Sequence, residues 1–359
     1  MTEQKPTSGL AVLSWMPVAA MTVVVVADVV AGPGVGLLPL VSLGPAFSGL
    51  VGGWRRTALI GVVALLLCVG LGLYDGLFEE RRGFTAMGSV AGVTGVGIAA
   101  AVMRSRREAE LASVRSIAEV AQRVLLRPVP RTAGPLQAAV SYTSAVAEAR
   151  IGGDLYEMVA SPHGIRVIVG DVQGKGLAAV ETAAVVLGAF REAAHDEPDL
   201  VGRLERSVAR KLEGEKFVTA VLAEIGTDHG VVFLNYGHPA PMVLRQDGGV
   251  DFPQPLAYAL PLGLGAHGSE GPKPYRVDFA PGEQLLLYTD GVTEARDASG
   301  SFYPLGDRAD LLNETDADLA LDVLREDLVG HAAGPLRDDA AMLLLRYHGH
   351  GEGKSVPIG

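Results

Sequence analysis

Four acidic motifs lie in the C-terminal half of the chain, and most of them border a run of β-forming residues. They are Gly152-Gly153-Asp154, Gly170-Asp171-Val172-Gln173-Gly174-Lys175-Gly176, Tyr288-Thr289-Asp290-Gly291 and Asp338-Asp339. Mg²⁺ and Mn²⁺ take oxygen ligands from a few carboxylates and keep several waters, so carboxylates that are distant in sequence must meet in space to bind them. Glycine beside a carboxylate lets the backbone turn sharply and come close to an ion or a phosphate. The motifs therefore predict a site for hard divalent cations.

The elements around these motifs predict an α+β domain. Strands are predicted at Ala138 to Tyr142, Leu155 to Ala160, Ile165 to Gly170, Thr219 to Ile225, Val231 to Tyr236, Met242 to Arg245, Gln284 to Thr289 and Ala341 to Tyr347. Helices are predicted at Leu177 to Ala194, Asp199 to Glu213 and Asp316 to Val329. Consecutive strands joined by short turns favour antiparallel sheets packed with helices over a doubly wound parallel sheet.

The acidic residues fall at the ends of the predicted strands. Asp171 and Asp290 each follow a strand, and Asp338 precedes the last one. A carboxylate at a strand end is held rigidly while its loop exposes it, as an ion site requires. A single Asp-Gly step usually marks only a turn. Four acidic motifs in one domain favour a shared site instead.

Apolar residues are concentrated before about residue 103, although the mean hydropathy of the whole chain is only +0.28. The apolar stretches are Leu10 to Ala31, Val35 to Gly53, Thr57 to Tyr74 and Phe84 to Met103. Each is close to the roughly 20 residues that a helix needs to cross the hydrocarbon core of a bilayer. They predict an all-α transmembrane bundle of four helices, with a buried soluble bundle as the alternative.

Basic residues predict the orientation of this bundle. Arg55 and Arg56 lie between the second and third stretches, and Arg104, Arg106 and Arg107 follow the fourth. Cytoplasmic loops carry an excess of Lys and Arg, so both segments are expected on the cytoplasmic side. The loop from Glu79 to Arg82 is then expected outside the cell. Its two arginines do not fit this placement, because the rule favours basic residues on the cytoplasmic side. The prediction is a multi-pass protein of the plasma membrane, in contact with lipid, whose C-terminal half is cytoplasmic.

A helix is predicted to connect the two halves. Residues Arg106 to Leu126 contain no proline or glycine, and a seam of apolar residues recurs at spacings of three and four: Leu111, Val114, Ala118, Ala121 and Leu125. The seam can pair with a second copy in a homodimer or pack on its own domain, and the sequence leaves both open. The predicted organisation is a membrane region (1–103), a connecting helix (104–130), a mixed domain (131–347) and a glycine-rich tail (348–359).

Composition excludes some classes of site. Cys68 is the single cysteine, so the chain can form no intrachain disulfide and no cysteine-cluster metal site. The net charge of -11 gives no support for a nucleic-acid partner, which would need a basic patch.

The ordered motifs resemble those of the bacterial PPM-type (protein phosphatase 2C-like) serine/threonine phosphatases, in the SpoIIE/RsbU branch. The resemblance covers about Ser116 to Tyr347. It rests on the acidic motifs with their flanks (Ile151 to Tyr156 and Tyr288 to Glu294 among them), on Asn235-Tyr236-Gly237-His238-Pro239, and on Ala121-Gln122-Arg123-Val124-Leu125-Leu126 before the domain. The membrane half carries no signature beyond its hydropathy.

This resemblance implies two packed antiparallel β-sheets flanked by helices, with two divalent cations, Mn²⁺ or Mg²⁺, between the sheets. By motif, Asp171 would bridge both cations and the backbone carbonyl of Val172 would bind one of them. Asp154, Asp290 and Asp338 would complete the metal site, and Asp171 and Asp154 would be the catalytic residues. The implied reaction is attack of a metal-activated water on a phosphoserine or phosphothreonine.

The sequence leaves open the roles of several other residues near the motifs. Gly153 lies inside the first motif, and Glu157 stands where the family commonly has a second aspartate, which would alter metal affinity. Asp339 adjoins Asp338, and the motif favours Asp338 as the ligand. Lys175 adds positive charge near a phosphate or is simply solvated, while His238 shapes a turn in preference to a catalytic role.

The resemblance predicts a membrane-anchored phosphatase whose substrate is a phosphorylated cytoplasmic regulator, an anti-sigma-factor antagonist, in signal transduction. The alternative is a catalytically weak sensor or scaffold that uses the fold as a binding module, and Glu157 is its main support. A nucleotide cyclase, suggested by Gly152-Gly153-Asp154, would leave the other aspartates unexplained.

Overall fold

A computed structural model of the chain describes residues 8–32, 37–74, 82–144, 152–161, 164–195, 200–211, 216–226, 228–264 and 271–348. The chain divides into two compact units, residues 1–113 and 114–359. Parts of several predicted features lie outside the described residues: the start of the apolar stretch Val35 to Gly53, the loop from Glu79 to Arg81, Ile151 of the first motif, both ends of the helix Asp199 to Glu213, and the tail beyond His348.

The first unit is helical. Its elements are α1 (Ser8–Ala31), a 3₁₀ helix (Leu38–Ser42), α2 (Leu43–Val51), α3 (Trp54–Tyr74) and the first part of α4 (Arg82–Leu125). Within the described residues, three helices are long and apolar enough to cross a membrane, with apolar spans at Ser14–Ala31, Trp54–Tyr74 and Gly83–Val114.

The second apolar stretch differs from its prediction as a full span. A 3₁₀ helix begins at Leu38 with Pro39 in its first turn, and α2 ends before Gly52 after only nine residues. An α-helix rises about 1.5 Å per residue, so α2 alone is roughly 14 Å long and falls short of the ~30 Å hydrocarbon core. Among the described residues there are therefore three candidate spans, where the sequence predicted about four.

Glycines set the contacts inside this bundle. A Cβ atom on Gly49 of α2 would lie 2.8 Å from the Cα of Gly97 on α4, and one on Gly61 of α3 would lie 2.1 Å from the Thr94 side chain. Small residues let helix backbones approach each other where lipid provides no hydrophobic force between helices. The bundle is thus held by close van der Waals contact.

Two of the predicted cytoplasmic arginines bind carbonyl groups within the same unit. Arg104 donates to the carbonyl oxygens of Gly49, Leu50 and Gly52, where α2 ends. Arg56 donates to the carbonyl oxygen of Ser14, where the apolar part of α1 begins. Gly52 and Arg56 are only four residues apart, so these basic groups share one end of the bundle, as the orientation argument requires.

In its described residues, the second unit contains eleven strands and four further helices, together with a 3₁₀ helix (Leu305–Asn313). The helices are α5 (Leu177–Ala193), α6 (Leu200–Lys211), α7 (Asp290–Thr293) and α8 (Ala317–His331), of which α7 is a single short turn. The strands are β1 (Thr132–Ala133), β2 (Leu136–Thr143), β3 (Leu155–Ser161), β4 (Gly164–Val172), β5 (Val218–Ile225), β6 (Gly230–Tyr236), β7 (Met242–Leu244), β8 (Val250–Asp251), β9 (Tyr275–Asp278), β10 (Gln284–Tyr288) and β11 (Ala340–Tyr347).

These strands form two antiparallel sheets. One has the order β1-β2-β11-β10-β7-β8 and the other the order β3-β4-β5-β6-β9. One hydrophobic cluster contains inward side chains of both sheets, such as Val169 and Leu343. A second cluster packs α8 on the first sheet, and a third packs α5 and α6 on the other. The predicted α+β class, with two antiparallel sheets flanked by helices, is confirmed.

Some elements were not predicted. Strand β9 pairs only with β6, at the edge of its sheet, and its four residues alternate between half-buried and exposed. The 3₁₀ helix Leu305–Asn313 lacks the 3.6-residue repeat of an α-helix because it turns in about three residues. Strand β9 is too short, and the 3₁₀ helix has the wrong repeat, for the sequence pattern to predict them.

The connecting helix is the C-terminal part of α4, which runs without a break from Arg82 to Leu125. The predicted seam is divided between two environments. Ala121 and Leu125 pack against Val180 of α5, whereas Leu111 and Val114 are exposed. A neighbouring face of the helix also exposes Ile117, Val120 and Val124.

Substitution of Gly49 by alanine tests the close contact between α2 and α4. We expect Gly49→Ala to destabilise the protein by about 1–3 kcal/mol, because its methyl group would overlap Gly97. The measurement is the melting temperature of the detergent-solubilised chain. Gly92→Ala is the control, since nothing lies within 4 Å of a Cβ atom there. An equal effect of the two substitutions would contradict the packing.

Candidate active site

Asp154 lies directly before β3 and joins the two sheets. It is 3% exposed, and its Oδ2 accepts a hydrogen bond of 2.8 Å from Oγ1 of Thr289, which follows β10 in the other sheet. The Thr289 hydroxyl also accepts from the Ala341 amide on β11 at 2.9 Å. Thr289 therefore fixes the first acidic motif against the third.

Asp171 is the last residue but one of β4, in the run Val167-Ile168-Val169 that β-branched side chains favour as a buried strand. The Val172 amide donates to the Gly153 carbonyl at 3.2 Å, which joins the first two motifs. A Cβ atom on Gly153 would lie 2.4 Å from the Val172 carbonyl oxygen and 2.8 Å from Oδ1 of Asp171. Only glycine at position 153 leaves these two oxygen atoms clear.

Two further glycines make room for the fourth motif. A Cβ atom on Gly152 would lie 1.6 Å from Oδ2 of Asp339, and one on Gly291 would lie 1.8 Å from the Asp339 carbonyl oxygen. Neither atom of Asp339 could stay in place against a side chain. These two glycines thus make room for Asp339, whereas the sequence predicted that glycine would let the backbone approach an ion or a phosphate.

Asp290 begins α7, immediately after Thr289 and β10. It is half-buried, and the neighbouring charges that act on it come from Glu294, Asp338 and Lys175. The structure thus brings Asp290 to the same pocket as Asp171, whose environment includes the same Asp338 and Lys175.

Asp338 and Asp339 differ in their surroundings. The Asp338 side chain is half exposed and its Oδ1 lies 2.8 Å from Nζ of Lys175. Asp339 is 2% exposed and accepts a hydrogen bond from the hydroxyl of Tyr142. The open position of Asp338 suits a residue that meets a ligand, in line with its preference over Asp339 in the sequence motif.

Mutual repulsion and burial shape the protonation of this pocket. Burial, followed by the charge of Asp171, raises the pKa of Asp154 well above its ordinary value. Burial and the charges of Asp290 and Asp338 raise the pKa of Asp171 to about 7. Burial and Glu294 also raise the pKa of Asp290. Buried carboxylates whose pKa values are raised by their neighbours are typical of sites that bind cations or exchange protons.

The donor set fits a hard divalent cation that keeps part of its water shell. The pocket offers carboxylate oxygens and the carbonyl of Val172, which are the ligands that Mg²⁺ and Mn²⁺ prefer. Across the described ranges, no group of three His, Cys, Asp or Glu side chains converges tightly enough to hold one ion alone. Mg²⁺ commonly binds through one or two carboxylates plus waters, so this spacing is compatible with the family's implied pair of cations.

Glu157 lies away from this pocket. Its carboxylate forms an ion pair with Arg191 of α5. Because side chains alternate along a strand, Glu157 shares a face of β3 with Leu155 and Val159, which pack in the helix-facing cluster. The predicted influence of Glu157 on metal affinity is therefore not supported by its position, and the longer glutamate arm instead reaches Arg191.

His238 has a structural environment. Its ring lies between Oγ1 of Thr219 at 3.1 Å and the carbonyl oxygen of Tyr288 at 3.0 Å, and Asn235 closes the turn with two hydrogen bonds to its backbone. Burial lowers the pKa of His238 to about 4, so the ring is neutral at pH 7. It connects the strand bearing Thr219 to the strand bearing Tyr288, as expected of a residue that shapes a turn.

The sequence reasoning missed Thr289, Tyr142 and Gln122 as parts of the site. Thr289 stood inside a quoted motif, and its place before Asp290 was the available signal. Tyr142 looked like an ordinary strand residue and Gln122 like a helix residue. Only the pairing of β2 with β11 brings Tyr142 beside Asp339.

A cavity of about 400 Å³ opens beside the acidic pocket. Its lining includes Gly291, Glu294, Arg296, Arg337 and Asp338. Asp338 belongs to both the cavity and the pocket, so a molecule in the cavity would lie next to the carboxylates.

Comparison with known proteins agrees with this geometry. The family described as "Stage II sporulation protein E (SpoIIE)" matches residues 161–348, just over half of the chain. The chain therefore belongs to the SpoIIE family. It is also 24% identical over 204 residues to phosphoserine phosphatase RsbU of Bacillus subtilis (strain 168), a match that covers 55% of this chain and 60% of RsbU.

Two solved structures share the fold. The RsbU and RsbW domains of Rv1364c from Mycobacterium tuberculosis match with a TM-score of 0.52 and 22% identity, over 60% of this chain and 61% of that one. The SiaA-PP2C domain of Pseudomonas aeruginosa matches with a TM-score of 0.54 and 19% identity, over 67% of this chain and 98% of that one. The second unit thus has the PPM phosphatase fold. The chain spans less than two thirds of the curated relative RsbU.

The raised pKa of Asp171 predicts a pH-dependent stability in the absence of metal. The folded state binds the proton of the Asp171 carboxyl more tightly than the unfolded chain does. The contribution of this proton to the free energy of unfolding is therefore present at low pH and is lost as the pH rises from about 4 to about 7. Asp171→Asn removes the repulsion between the charged Asp171 carboxylate and those of Asp290 and Asp338. In EDTA we expect it to raise the melting temperature by about 2–4 °C or more at about pH 8 and by less at about pH 5.

Asp322→Asn is the matched control, because Asp322 is an exposed residue of α8 beside Arg325. We expect its effect to be small at both pH values. A fall in melting temperature for Asp171→Asn at the higher pH would contradict the proposed repulsion.

Proposed function

We propose that the chain is a membrane-anchored, metal-dependent protein serine/threonine phosphatase. The observation that carries the proposal is the acidic pocket of Asp154, Asp171 and Asp290, in which the charge of one carboxylate raises the pKa of another. Membership of the SpoIIE family and the similarity to a phosphoserine phosphatase support it.

We assign the cation ligands by motif and position. Asp171 and the carbonyl of Val172 lie at the end of β4, with Asp154, Asp290 and Asp338 around them. Bound Mn²⁺ or Mg²⁺, two ions by the family's implication, would supply Lewis acidity and lower the pKa of a water that attacks phosphorus. Thr289 holds Asp154 in place, and Gly153 keeps the oxygen atoms of Asp171 and Val172 accessible.

Positive charge at the rim of the pocket favours a phosphorylated substrate. Nζ of Lys175 lies 2.8 Å from Asp338, and Arg337 lines the adjoining cavity. Arginine binds phosphate with two parallel hydrogen bonds and lysine as a point charge. A phosphoserine or phosphothreonine could enter the pocket while the rest of the substrate lies in the cavity. By resemblance, the substrate is a cytoplasmic regulator, an anti-sigma-factor antagonist.

The membrane location is proposed from the first unit. Its candidate spans expose apolar side chains that a soluble protein would bury, among them Trp15, Val30, Leu66, Leu73 and Val96. Arg56 and Arg104 share one end of the bundle, and the positive-inside rule places that end in the cytoplasm. The phosphatase unit that follows α4 is then cytoplasmic.

The alternative, a weak sensor or scaffold, loses its main support. That support was Glu157 as an altered metal ligand, but Glu157 pairs with Arg191 on the helix-facing side of β3. The aspartates of the four motifs are retained, which a degenerate site would not require.

Removal of Asp171 tests the activity. The purified chain should hydrolyse a phosphoserine protein or p-nitrophenyl phosphate only with Mn²⁺ or Mg²⁺. Asp171→Ala should lose at least about 100-fold in rate, since a proposed bridging ligand goes with it. Asp322→Ala, on the exposed face of α8, should retain the wild-type rate.

Metal-independent hydrolysis, or full activity of Asp171→Ala, would overturn the proposal. The substrate can be sought by comparing phosphoproteins in cells that carry the wild type and Asp171→Ala. A single regulator that gains phosphoserine or phosphothreonine in the mutant is the expected result.

We further propose that α4 pairs with its copy in a homodimer. Ile117, Val120 and Val124 are exposed apolar residues at spacings of three and four, which is the spacing of a coiled-coil seam. Two copies anchored in one membrane would present this face in parallel.

Charges introduced into that face test the dimer. Light scattering of the detergent-solubilised wild type should give the mass of two chains, and the double variant Ile117→Glu, Val124→Glu should give half of it because glutamates would repel across the seam. Leu319→Glu, at an exposed apolar position of α8, is the control and should remain dimeric. A monomeric wild type would contradict the proposal.

A further inference from the structure

Hydrogen bonds link the connecting helix to the acidic pocket. Nε2 of Gln122, on α4, donates to the hydroxyl of Tyr142 at 2.7 Å, and that hydroxyl donates to Oδ2 of Asp339. Gln122 is 8% exposed and Asp339 is 2% exposed, so water does not replace these contacts. Each group has a defined role, because the amide donates, the hydroxyl relays and the carboxylate accepts.

Asp339 is placed where its orientation affects the proposed cation ligands. Its charge raises the pKa of Asp154 and of Asp171, and it directly follows Asp338 in the chain. Gly152 lies so close to its Oδ2 that the carboxylate has little room on that side. A rotation of Asp339 would move negative charge within the pocket.

We propose that Tyr142 is a positioning residue for the acidic pocket, and that Gln122 holds its hydroxyl in place. Cation affinity would then depend on how the last turn of α4, residues 122–125, packs on the domain. The proposal rests on the pocket binding cations, which is part of the proposed function. It does not require that the pocket hydrolyse phosphate.

The contacts of Tyr142 explain why its hydroxyl matters. Tyr142 lies opposite Ala341 in the pairing of β2 with β11, so its backbone is fixed beside the strand that follows Asp339. Its hydroxyl stabilises the negative charge of Asp339 without adding a positive charge that would compete with a cation. Removal of the hydroxyl would take a donor away from Oδ2 of Asp339, while Oδ1 would keep the Ser144 hydroxyl at 3.5 Å, so the carboxylate would be held less firmly in its orientation.

The surroundings of Gln122 explain why the helix matters. A cavity of about 380 Å³, lined by Gln122, Tyr142, Ser144 and Tyr156 among others, lies beside the hydrogen bonds. The cavity gives the Tyr142 ring space to move when Gln122 is withdrawn. The helix end is itself held by Arg191, which donates to the Leu125 carbonyl at 2.9 Å and pairs with Glu157.

The test is Mn²⁺ binding to the full-length, detergent-solubilised chain by calorimetry. Tyr142→Phe removes only the hydroxyl, and we expect it to weaken Mn²⁺ binding by about 10-fold, as loss of a hydrogen-bonding residue around the ligands of a metal site commonly does. Tyr303→Phe is the matched control. The Tyr303 hydroxyl donates to Oδ2 of Asp327 at 2.8 Å, near α8 and outside the acidic pocket, so its removal should leave Mn²⁺ affinity unchanged.

Two further variants separate the helix from the tyrosine. Gln122→Ala should weaken Mn²⁺ binding in the same direction but less than Tyr142→Phe. The double variant should bind no more weakly than Tyr142→Phe alone, because both substitutions break one chain of hydrogen bonds and their effects are then not additive. Additive losses would contradict the role assigned to Gln122.

Unchanged Mn²⁺ affinity in Tyr142→Phe, with a fall in melting temperature like that of Tyr303→Phe, would show a merely structural tyrosine and overturn the proposal. A wild type that binds Mn²⁺ without hydrolysing phosphate would refute the proposed phosphatase and leave this inference standing. A wild type that binds no Mn²⁺ would overturn both.

Discussion

Repulsion between buried carboxylates is the constraint on which the second unit depends. Burial and the charge of Asp171 raise the pKa of Asp154, and burial and the charges of Asp290 and Asp338 raise the pKa of Asp171. Asp154 and Asp171 border the paired strands β3 and β4 of one sheet, whereas Asp290 and Asp338 border β10 and β11 of the other. The packed layer between the sheets holds these strand ends together. The stability of the sandwich therefore maintains an arrangement that the carboxylates alone would oppose.

The same constraint explains the polar residues around the pocket. Thr289 donates to Asp154, Tyr142 donates to Asp339, and Lys175 pairs with Asp338. Two of these donors are neutral, so they stabilise a carboxylate while leaving its charge available to a cation. The third, Lys175, is at the exposed rim, where a charged side chain can exchange partners at small cost. Neutral donors inside and a cation at the rim suit a site that must accept both metal ions and phosphate.

The sequence predicted those parts of the structure that repeat or that follow a motif. Alternating apolar residues predicted strands β2 to β7, β10 and β11, and helical periodicity predicted α5, α6 and α8. The position of Asp154, Asp171, Asp290 and Asp338 beside glycines and at strand ends predicted that they would lie close together. The sequence pattern did not predict which distant strands pair. The contact between Tyr142 and Asp339, which are 197 residues apart in the chain, depends on such a pairing. The motif placed Glu157 near the metal site, whereas its side chain pairs with Arg191 on the helix-facing side of β3. Its effect on metal affinity stays a prediction. In the first unit, length and hydropathy found the apolar stretches, but Pro39 and the early end of α2 shortened the second one.

The central claim is that these carboxylates form a cation site on the PPM fold. Anomalous X-ray diffraction from crystals grown with Mn²⁺ tests it most directly, because it locates manganese without reference to activity. We predict anomalous peaks between the ends of β4 and β10, bordered by Asp171, Asp154, Asp290 and Asp338, with the ion pair of Lys175 and Asp338 opened. Crystals at saturating Mn²⁺ with no peak in this pocket, and with that ion pair intact, would contradict the account.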